Sequence, residues 1–386
     1  MSFEELKQAE SQYLMQTYGR FQVAFEKGQG ATLWDVDGKA YIDLTSGIGV
    51  NCLGHNFQAL SDAIADQAHK LMHVSNLYYT EPCVQLAEML CKRTGMSKVF
   101  FSNSGSEANE CAIKVARKYQ AEHKGPECST IVTLKNSFHG RTLTTLAATG
   151  QDHYHELFTP LTPGFLSVDP DFTELPDPDR IAAILIECIQ GEGGVIPLPQ
   201  DTVRRIADYA AAHDILLMVD EVQTGNGRTG ALYAYMNYGI HPDVVSTAKG
   251  LAGGLPLGAT LLSEKVSGTL GFGDHGSTFG GNPVSCAAAL SVLSRIDDSL
   301  LASVREKGQY LMDSFMDAPG VESVSGMGLM IGIKCRRNAG DVVREALSKG
   351  VLCLTAKDRV RLLPALNIPM DILKEAADIL KECIAG

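Results

Sequence analysis

Two short apolar runs between residues 215 and 249 each end in a charged side chain. Residues 215–219 lead into Asp220, and residues 243–248 lead into Lys249. Runs of this length, rich in branched residues and flanked by helical segments, predict buried and adjacent parallel strands. Because ligands bind beyond the carboxyl ends of parallel strands, we expect Asp220 and Lys249 to face one crevice.

This pair combines an amine and an acid with complementary chemistry. Lys249 stands among small and apolar neighbours, which predicts a lowered amine pKa and reactivity toward a carbonyl group. Asp220 carries the charge needed to hold a protonated ring nitrogen. A covalent lysine and an anion opposite the pyridinium nitrogen are what a pyridoxal phosphate (PLP) enzyme requires. Two such residues alone more often form a salt bridge or face solvent. Motifs elsewhere in the chain are therefore needed to distinguish a PLP site from these alternatives.

From about residue 55 the chain alternates predicted strands with predicted helices. This alternation predicts an α/β fold with a mostly parallel central sheet and helices on both faces. A length of 386 residues favours two or three domains. We predict a large domain at residues 51–285 and a smaller α+β domain at residues 286–386. Residues 1–50 are predicted to be an N-terminal segment that joins the small domain.

Composition excludes several classes of partner. The chain has 33 basic and 45 acidic residues, a net charge of −12 and no block of like charges, which disfavours nucleic acid or an acidic membrane as a partner. No apolar run approaches the ~20 residues of a membrane span. Ten scattered cysteines without a C-x-x-C pair, after a polar N-terminus, predict reduced thiols and a cytoplasmic protein. We predict no metal site.

The turn at residues 103–106 is a candidate phosphate site. It follows a predicted strand and opens a helix, so Gly105 and Ser106 would direct free backbone N–H groups at an anion, where the helix dipole adds positive potential. A plain helix cap at Ser106 explains the same residues. The two interpretations are compatible.

Three further stretches carry candidate ligand-binding side chains. Phe138 can stack on an aromatic cofactor and Arg141 can bind a carboxylate in a two-pronged hydrogen bond, although alone they fit a core aromatic and a surface charge. Glu192 lies among glycines, where an acid can swing between partners or stay solvated. Ser277 and Thr278 offer hydroxyl and N–H groups to a phosphate or carboxylate, or belong to a glycine-rich turn.

Together these stretches resemble, in order and along nearly the whole chain, the motifs of the class III aminotransferases. The matching stretches are residues 104–109, 138–142, 190–194, 220–225, 248–250 and 276–283. Within that class, residues 76–82 and 361–364 resemble the acetylornithine aminotransferase branch.

The resemblance implies a fold-type-I PLP-dependent transferase and a role for each matching residue. Lys249 would carry PLP covalently and move the substrate proton, and Asp220 would pair with the ring nitrogen. The other cofactor-binding positions implied are Gly105 and Ser106 at the phosphate, Phe138 on one ring face, Val222 and Gln223 beside the ring, Glu221, and Thr278 from the partner subunit of a homodimer with active sites at its interface. The substrate-binding positions implied are Arg141, Glu192, Ser277 and Arg361.

The reaction implied is transfer of the terminal amino group of N2-acetyl-L-ornithine to 2-oxoglutarate, giving N-acetyl-L-glutamate 5-semialdehyde and L-glutamate in arginine biosynthesis. Glu192 would neutralise Arg361 while the amino donor is bound. Succinylornithine, ornithine and 4-aminobutyrate stay open as other donors. Three positions depart from the branch: Ser106 replaces an expected threonine, and Cys188 and Ala365 replace expected prolines.

A rival interpretation is an NAD-dependent dehydrogenase. Gly225, Gly227 and Gly230 have the spacing of a dinucleotide-binding fingerprint after a predicted strand. Asp220 and Glu221 stand directly before these glycines, where a pyrophosphate would need to approach, which argues against it. A non-catalytic binding module is the third alternative. A visible cofactor absorption that is lost on borohydride reduction separates the aminotransferase from both.

Overall fold

The computed structural model describes residues 1–172 and 175–386, beginning with a helix and a small sheet. The helix is capped by a reciprocal Ser2–Glu5 box, in which each side chain accepts the other residue's backbone N–H. The elements of this part are α1 (Phe3–Tyr13), β1 (Phe25–Gln29), β2 (Thr32–Asp35), β3 (Ala40–Asp43) and the single turn α2 (Ser46–Gly49).

A seven-stranded sheet forms the centre of the molecule, with strand order β4-β12-β11-β10-β7-β5-β6. The strands from this region are β4 (Lys98–Ser102), β5 (Thr130–Leu134), β6 (Phe165–Val168), β7 (Ile181–Ile186), the short pair β8 (Ile189–Gln190) and β9 (Ile196–Pro197), β10 (Leu216–Asp220), β11 (Val244–Thr247) and β12 (Gly258–Leu262). β12 pairs antiparallel with both of its neighbours, β4 and β11, and the other strand pairs of the central sheet are parallel. The predicted, mostly parallel sheet is confirmed, while the antiparallel β12 was not predicted.

Helices cover this sheet, and every residue of β7 and β10 is buried. Burial on both faces explains why these strands read as continuous apolar runs. The helices of this region are α3 (Gln58–Lys70), α4 (Glu81–Thr94), α5 (Gly105–His123), α6 (Leu143–Ala148), α7 (Gln200–Ala212) and α8 (Ala234–Tyr238).

The C-terminal part is a second sheet covered by helices. Its elements are α9 (Pro283–Leu293), α10 (Asp298–Met316), β13 (Val321–Met327), β14 (Met330–Cys335), α11 (Ala339–Ser348), β15 (Val351–Leu352), β16 (Leu354–Ala356), β17 (Arg359–Leu362) and α12 (Met370–Ala385). The sheet β13-β14-β17-β16 is antiparallel. β15 instead pairs in parallel with β3, so the N-terminal segment and the C-terminal part share one sheet.

The two strands that end in charge are neighbours, as predicted. β10 and β11 pair in parallel, with Asp220 opposite Ser246. After β11 the chain turns through Lys249 at φ +45°, a left-handed conformation that costs a non-glycine residue of order 1–3 kcal/mol. Such strain at a strand end is typical of a residue whose position serves a site.

The glycines of the supposed dinucleotide fingerprint lack the structural context of one. Residues 221–233 form turns, and the next helix begins only at Ala234. A methyl group on Gly225 would lie 2.7 Å from the Glu221 carbonyl oxygen, so this glycine allows close chain packing. Across the described ranges, no helix has the length and apolar character to cross a bilayer.

Candidate active site

A cavity of about 360 Å³ opens where β10 and β11 end and α5 begins. Sequence-distant turns converge there because the carboxyl ends of parallel strands share one edge of the sheet. The predicted residues that line it are Gly105, Ser106, Phe138, Glu192, Asp220, Val222, Gln223 and Lys249.

Asp220 is a buried carboxylate held in one orientation. Its Oδ2 accepts hydrogen bonds from Asn109 Nδ2 and meets His139 Nδ1, each at 2.8 Å, and its Oδ1 accepts the Val222 backbone N–H at 2.9 Å. The Asp220 side chain is 5% exposed and that of His139 is fully enclosed. An anion fixed this firmly can hold a cationic ring nitrogen without reorganising.

Asn109 and His139 are functional residues that the sequence reasoning did not assign. Asn109 Nδ2 also donates to the His139 carbonyl at 2.8 Å, and Ser246 Oγ donates to Asn109 Oδ1 at 2.5 Å. His139 Nε2 is buried without a hydrogen-bond partner in the described chain. Both residues stand inside the recognised motifs, but they reach Asp220 only through tertiary structure: Asn109 by the packing of α5 against β10 and β11, and His139 by the turn that follows β5.

Lys249 lines the same cavity as Asp220, as expected. Burial lowers the pKa of the Lys249 amine, and the carboxylates of Glu192 and Asp220 oppose that effect. The net direction is downward. An amine that loses its proton more readily is the form that attacks a carbonyl carbon.

The start of α5 supplies the anion-binding end of the cavity. The helix cap is Ser104, whose hydroxyl accepts the Glu107 N–H at 3.2 Å, so the alternative of a cap at Ser106 is wrong. Gly105 packs directly on Val222, since a methyl group there would lie 2.6 Å from Val222 Cγ1. The cap takes the Glu107 N–H, so the N–H groups of Gly105 and Ser106, two residues that line the cavity, are the ones that a bound anion would use.

Phe138 lines the cavity, whereas Arg141 lies at the surface beside it. The Phe138 N–H donates to Glu187 Oε2 at 2.9 Å, and the Gly191 N–H donates to Glu187 Oε1 at 3.2 Å. Burial raises the pKa of this unpredicted carboxyl, Glu187, to about 7. The Arg141 guanidinium lies 5.7 Å from the Phe138 ring centroid and 4.7 Å from that of Tyr154. Arg141 thus has cation–π contacts and free donors.

Arg361 forms a buried ion pair with Glu192. Arg361 Nη1 lies 2.5 Å from Glu192 Oε1 and 3.3 Å from Gln223 Oε1, and its side chain is only 4% exposed. Burial raises the pKa of Glu192, but the Arg361 guanidinium, together with the Lys249 amine and a hydrogen bond from Gln223, holds that pKa below its ordinary value. Arg361 Nε is buried without a partner in the described residues, and Arg361 does not itself line the cavity but contacts Glu192 and Gln223, which do.

The remaining predicted positions lie outside the main cavity. Thr278 is exposed, and Ser277 Oγ accepts from Asn103 Nδ2 at 3.1 Å at the cavity rim. The Glu221 carboxylate binds Thr224 Oγ1 at 2.5 Å and the Tyr235 N–H at 2.7 Å, away from the cavity lining. Cys188 and Ala365, which stand where prolines are expected, are buried and do not line the cavity either.

These residues fit pyridoxal 5′-phosphate on chemical grounds. The cavity offers an amine with a lowered pKa, a fixed buried anion, an aromatic side chain and an open helix N-terminus. Gly140 leaves room for the Ser106 side chain, because a methyl group on Gly140 would lie 2.4 Å from Ser106 Oγ. The carbonyl carbon, the ring nitrogen, the ring face and the phosphate of the cofactor would each have a partner of matching chemistry in this cavity.

The fold and this site define a PLP-dependent transferase of fold type I. Residues 13–384 match the family described as Aminotransferase class-III, and the chain belongs to that family. It is therefore a PLP-dependent aminotransferase.

Individual relatives agree with this assignment. The chain is 48% identical to the acetylornithine aminotransferase of Haemophilus ducreyi, with both chains covered completely. The crystal structure of ornithine aminotransferase from Toxoplasma gondii superposes with a TM-score of 0.94 at 30% identity, covering 100% of this chain and 95% of that one. The crystal structure of N-acetylornithine aminotransferase from Stenotrophomonas maltophilia superposes with a TM-score of 0.84 at 36% identity, with 98% of each chain covered.

Proposed function

We propose that this enzyme transfers the terminal amino group of N2-acetyl-L-ornithine to 2-oxoglutarate, giving N-acetyl-L-glutamate 5-semialdehyde and L-glutamate, in arginine biosynthesis. The observation that carries the proposal is the ion pair between Arg361 and Glu192 beside Lys249. The relatives named acetylornithine aminotransferase support the choice of donor.

The ion pair suits two substrates of different charge. 2-Oxoglutarate has a carboxylate next to its reacting carbon, whereas the amine of acetylornithine reacts at a carbon with none. A buried arginine facing the apolar part of the donor needs a counter-charge, and Glu192 supplies it. When the keto acid binds, Glu192 leaves and Arg361 binds the proximal carboxylate. Arg141 holds the distal carboxylate of either substrate.

The protein's own groups divide the remaining work. When bound, PLP supplies an electron sink that makes the proton on the reacting carbon acidic. Lys249 Nζ holds the cofactor and then accepts and returns that proton. Asp220 keeps the ring nitrogen charged, and the first turn of α5, at Gly105 and Ser106, binds the phosphate.

A donor panel tests the proposal. With 2-oxoglutarate as acceptor, kcat/KM should be highest for N-acetylornithine and lower for ornithine, succinylornithine and 4-aminobutyrate. Glutamate formation is the readout, because every active donor yields it. A clear preference for one of the other donors would replace the proposed substrate while leaving the class of reaction intact.

Replacing Glu192 should separate the two half-reactions. Glu192→Gln leaves Arg361 uncompensated against acetylornithine, so we expect that half-reaction to slow about tenfold to a hundredfold, the effect of roughly 1.4–3 kcal/mol of unpaired charge. The half-reaction with glutamate should change much less. Stopped-flow absorbance with each donor separates the halves, and Arg141→Ala, which should impair both, is the comparison. Equal slowing of both halves by Glu192→Gln would leave it a structural acid.

The proposal includes a homodimer with active sites at its interface. Exposed apolar side chains gather near the rim of the site at Leu77, Tyr78, Tyr79 and Phe279, and a patch of this kind marks a protein interface. Thr278, next to Phe279, is exposed and does not line the cavity of its own chain, and in the proposed dimer it would bind the phosphate in the partner's site. Light scattering should give the mass of two chains, and a single-chain mass would contradict the arrangement.

The compartment proposed is the cytoplasm. All ten cysteines are free thiols, which supports a reducing environment. Partners beyond small-molecule substrates and the second subunit are not part of the proposal. Cell fractionation with an antibody against the chain checks the location.

A further inference from the structure

A second arginine lies on the same face of β17 as Arg361. In the sequence Arg-Val-Arg-Leu of this strand, Val360 and Leu362 are fully buried, so Arg359 and Arg361 point to the opposite side. Arg361 pairs with Gly332 on β14, and Arg359 pairs with the next residue on that face, Lys334. The two guanidinium groups therefore start from neighbouring rows of one sheet.

The glycine loop that carries Glu192, residues 191–194, lies on this face of the sheet and passes close to both arginines. A methyl group on Gly332 would lie 2.7 Å from the Gly194 carbonyl oxygen, so the loop passes directly over the row that contains Arg361. A methyl group on Gly194 would lie 3.5 Å from Arg359 Cδ and 3.6 Å from Arg359 Nε. Arg359 is thus against the loop two residues beyond Glu192, and Arg361 binds Glu192 itself.

Among the described residues, Arg359 has only neutral hydrogen-bond partners. Its Nη1 lies 3.3 Å from Ser323 Oγ and 3.2 Å from Ser325 Oγ, both long for a charged donor. Within the described residues no carboxylate forms an ion pair with it. Ser323 stands in the row of Arg359 and Ser325 in the row of Arg361, both on β13, so the Arg359 side chain extends across β14 and its guanidinium lies between the two rows.

We infer that Arg359 receives the Glu192 carboxylate when a dicarboxylate substrate takes Arg361. Glu192 is half-buried, so once it leaves Arg361 its carboxylate is an unpaired, partly buried charge unless a second cation accepts it. Arg359 lies half-buried on the same face without an acid partner. It is a specificity-determining residue for the keto acid, and the inference rests on the proposed departure of Glu192 from Arg361.

Equilibrium binding of glutarate, a five-carbon dicarboxylate with no reacting group, tests this without turnover. We expect Arg359→Gln to raise the Kd of glutarate for the holoenzyme about tenfold, because displaced Glu192 then lacks a cation. Arg359→Lys should retain most of the affinity. The acetylornithine half-reaction should stay within about twofold of wild type, since Glu192 remains on Arg361 there.

Two comparisons make the test decisive. Lys334→Gln removes a cation directly opposite Arg359, one that already has carboxylate partners in Glu322 and Asp358, and should leave glutarate binding unchanged. In a Glu192→Gln background, Arg359→Gln should have no further effect, because no carboxylate moves. If Arg359→Gln weakens glutarate equally in that background, Arg359 attracts the ligand directly and the inference is overturned. If the donor panel favours a donor other than acetylornithine, the proposed substrate is overturned, but the glutarate affinities of the Arg359→Gln and Glu192→Gln variants still test the role of Arg359.

Discussion

Lys249→Ala should abolish turnover while the fold persists. The side chain supplies both the covalent hold on the cofactor and the base that moves the substrate proton, and general acid–base catalysis alone contributes about 10²–10⁴-fold. We expect glutamate formation to fall at least ~10⁴-fold. The left-handed backbone at this position is no more strained for alanine than for lysine, so far-ultraviolet circular dichroism should be unchanged.

The control for this variant is a lysine of similar type outside the site. Lys381→Ala removes a surface amine on α12 that pairs with Asp378, and it should leave activity near that of the wild type. Borohydride treatment should trap the cofactor on the wild-type chain and on Lys381→Ala but not on Lys249→Ala. Residual activity of Lys249→Ala near wild type would remove Lys249 from the chemistry.

Asp220→Asn should keep the cofactor but lose most of the rate. Asn109 and His139 both meet Oδ2, so an amide at this position turns its oxygen toward them and its NH₂ group to the Oδ1 side. A donor there disfavours a protonated ring nitrogen, and losing one charge of a buried pair costs about 2–4 kcal/mol, or roughly 30- to 1000-fold in rate. Single-turnover absorbance with N-acetylornithine measures the loss.

The neighbouring acid provides a matched substitution. Glu221→Gln neutralises a fully buried carboxyl one residue away whose partners are Thr224 and Tyr235. Burial already raises the pKa of Glu221 to about 7, so its charge near neutral pH is partial. The rate per bound cofactor should change only a few-fold. If both substitutions slow the single turnover equally, the loss reflects general charge in this region and not the contact of Asp220 with the ring.

Local pattern was sufficient for most of the framework. The apolar runs before Asp220 and Lys249 marked two strands, and the structure pairs them in parallel as expected. Strand β12 escaped prediction because its residues, Gly258–Leu262, have no charge at the end and only a single 3₁₀ turn, Lys249–Ala252, before them in place of a crossover α-helix. β12 is antiparallel because the chain reverses direction after Lys249 and pairs with β11, and no local sequence pattern indicates this reversal.

The sequence by itself determined the chemistry that the site can hold: a lysine and an aspartate after buried strands, a small-residue turn opening a helix, and an acid among glycines. These are local properties of short segments. The tertiary structure alone decided which side chains touch. It turned Asn109 and His139 onto Asp220, set Arg361 on Glu192 across 169 positions of chain, and laid Arg359 against the same loop. Such contacts depend on helix packing, strand register and loop path, which arise only when distant segments bury their apolar faces together.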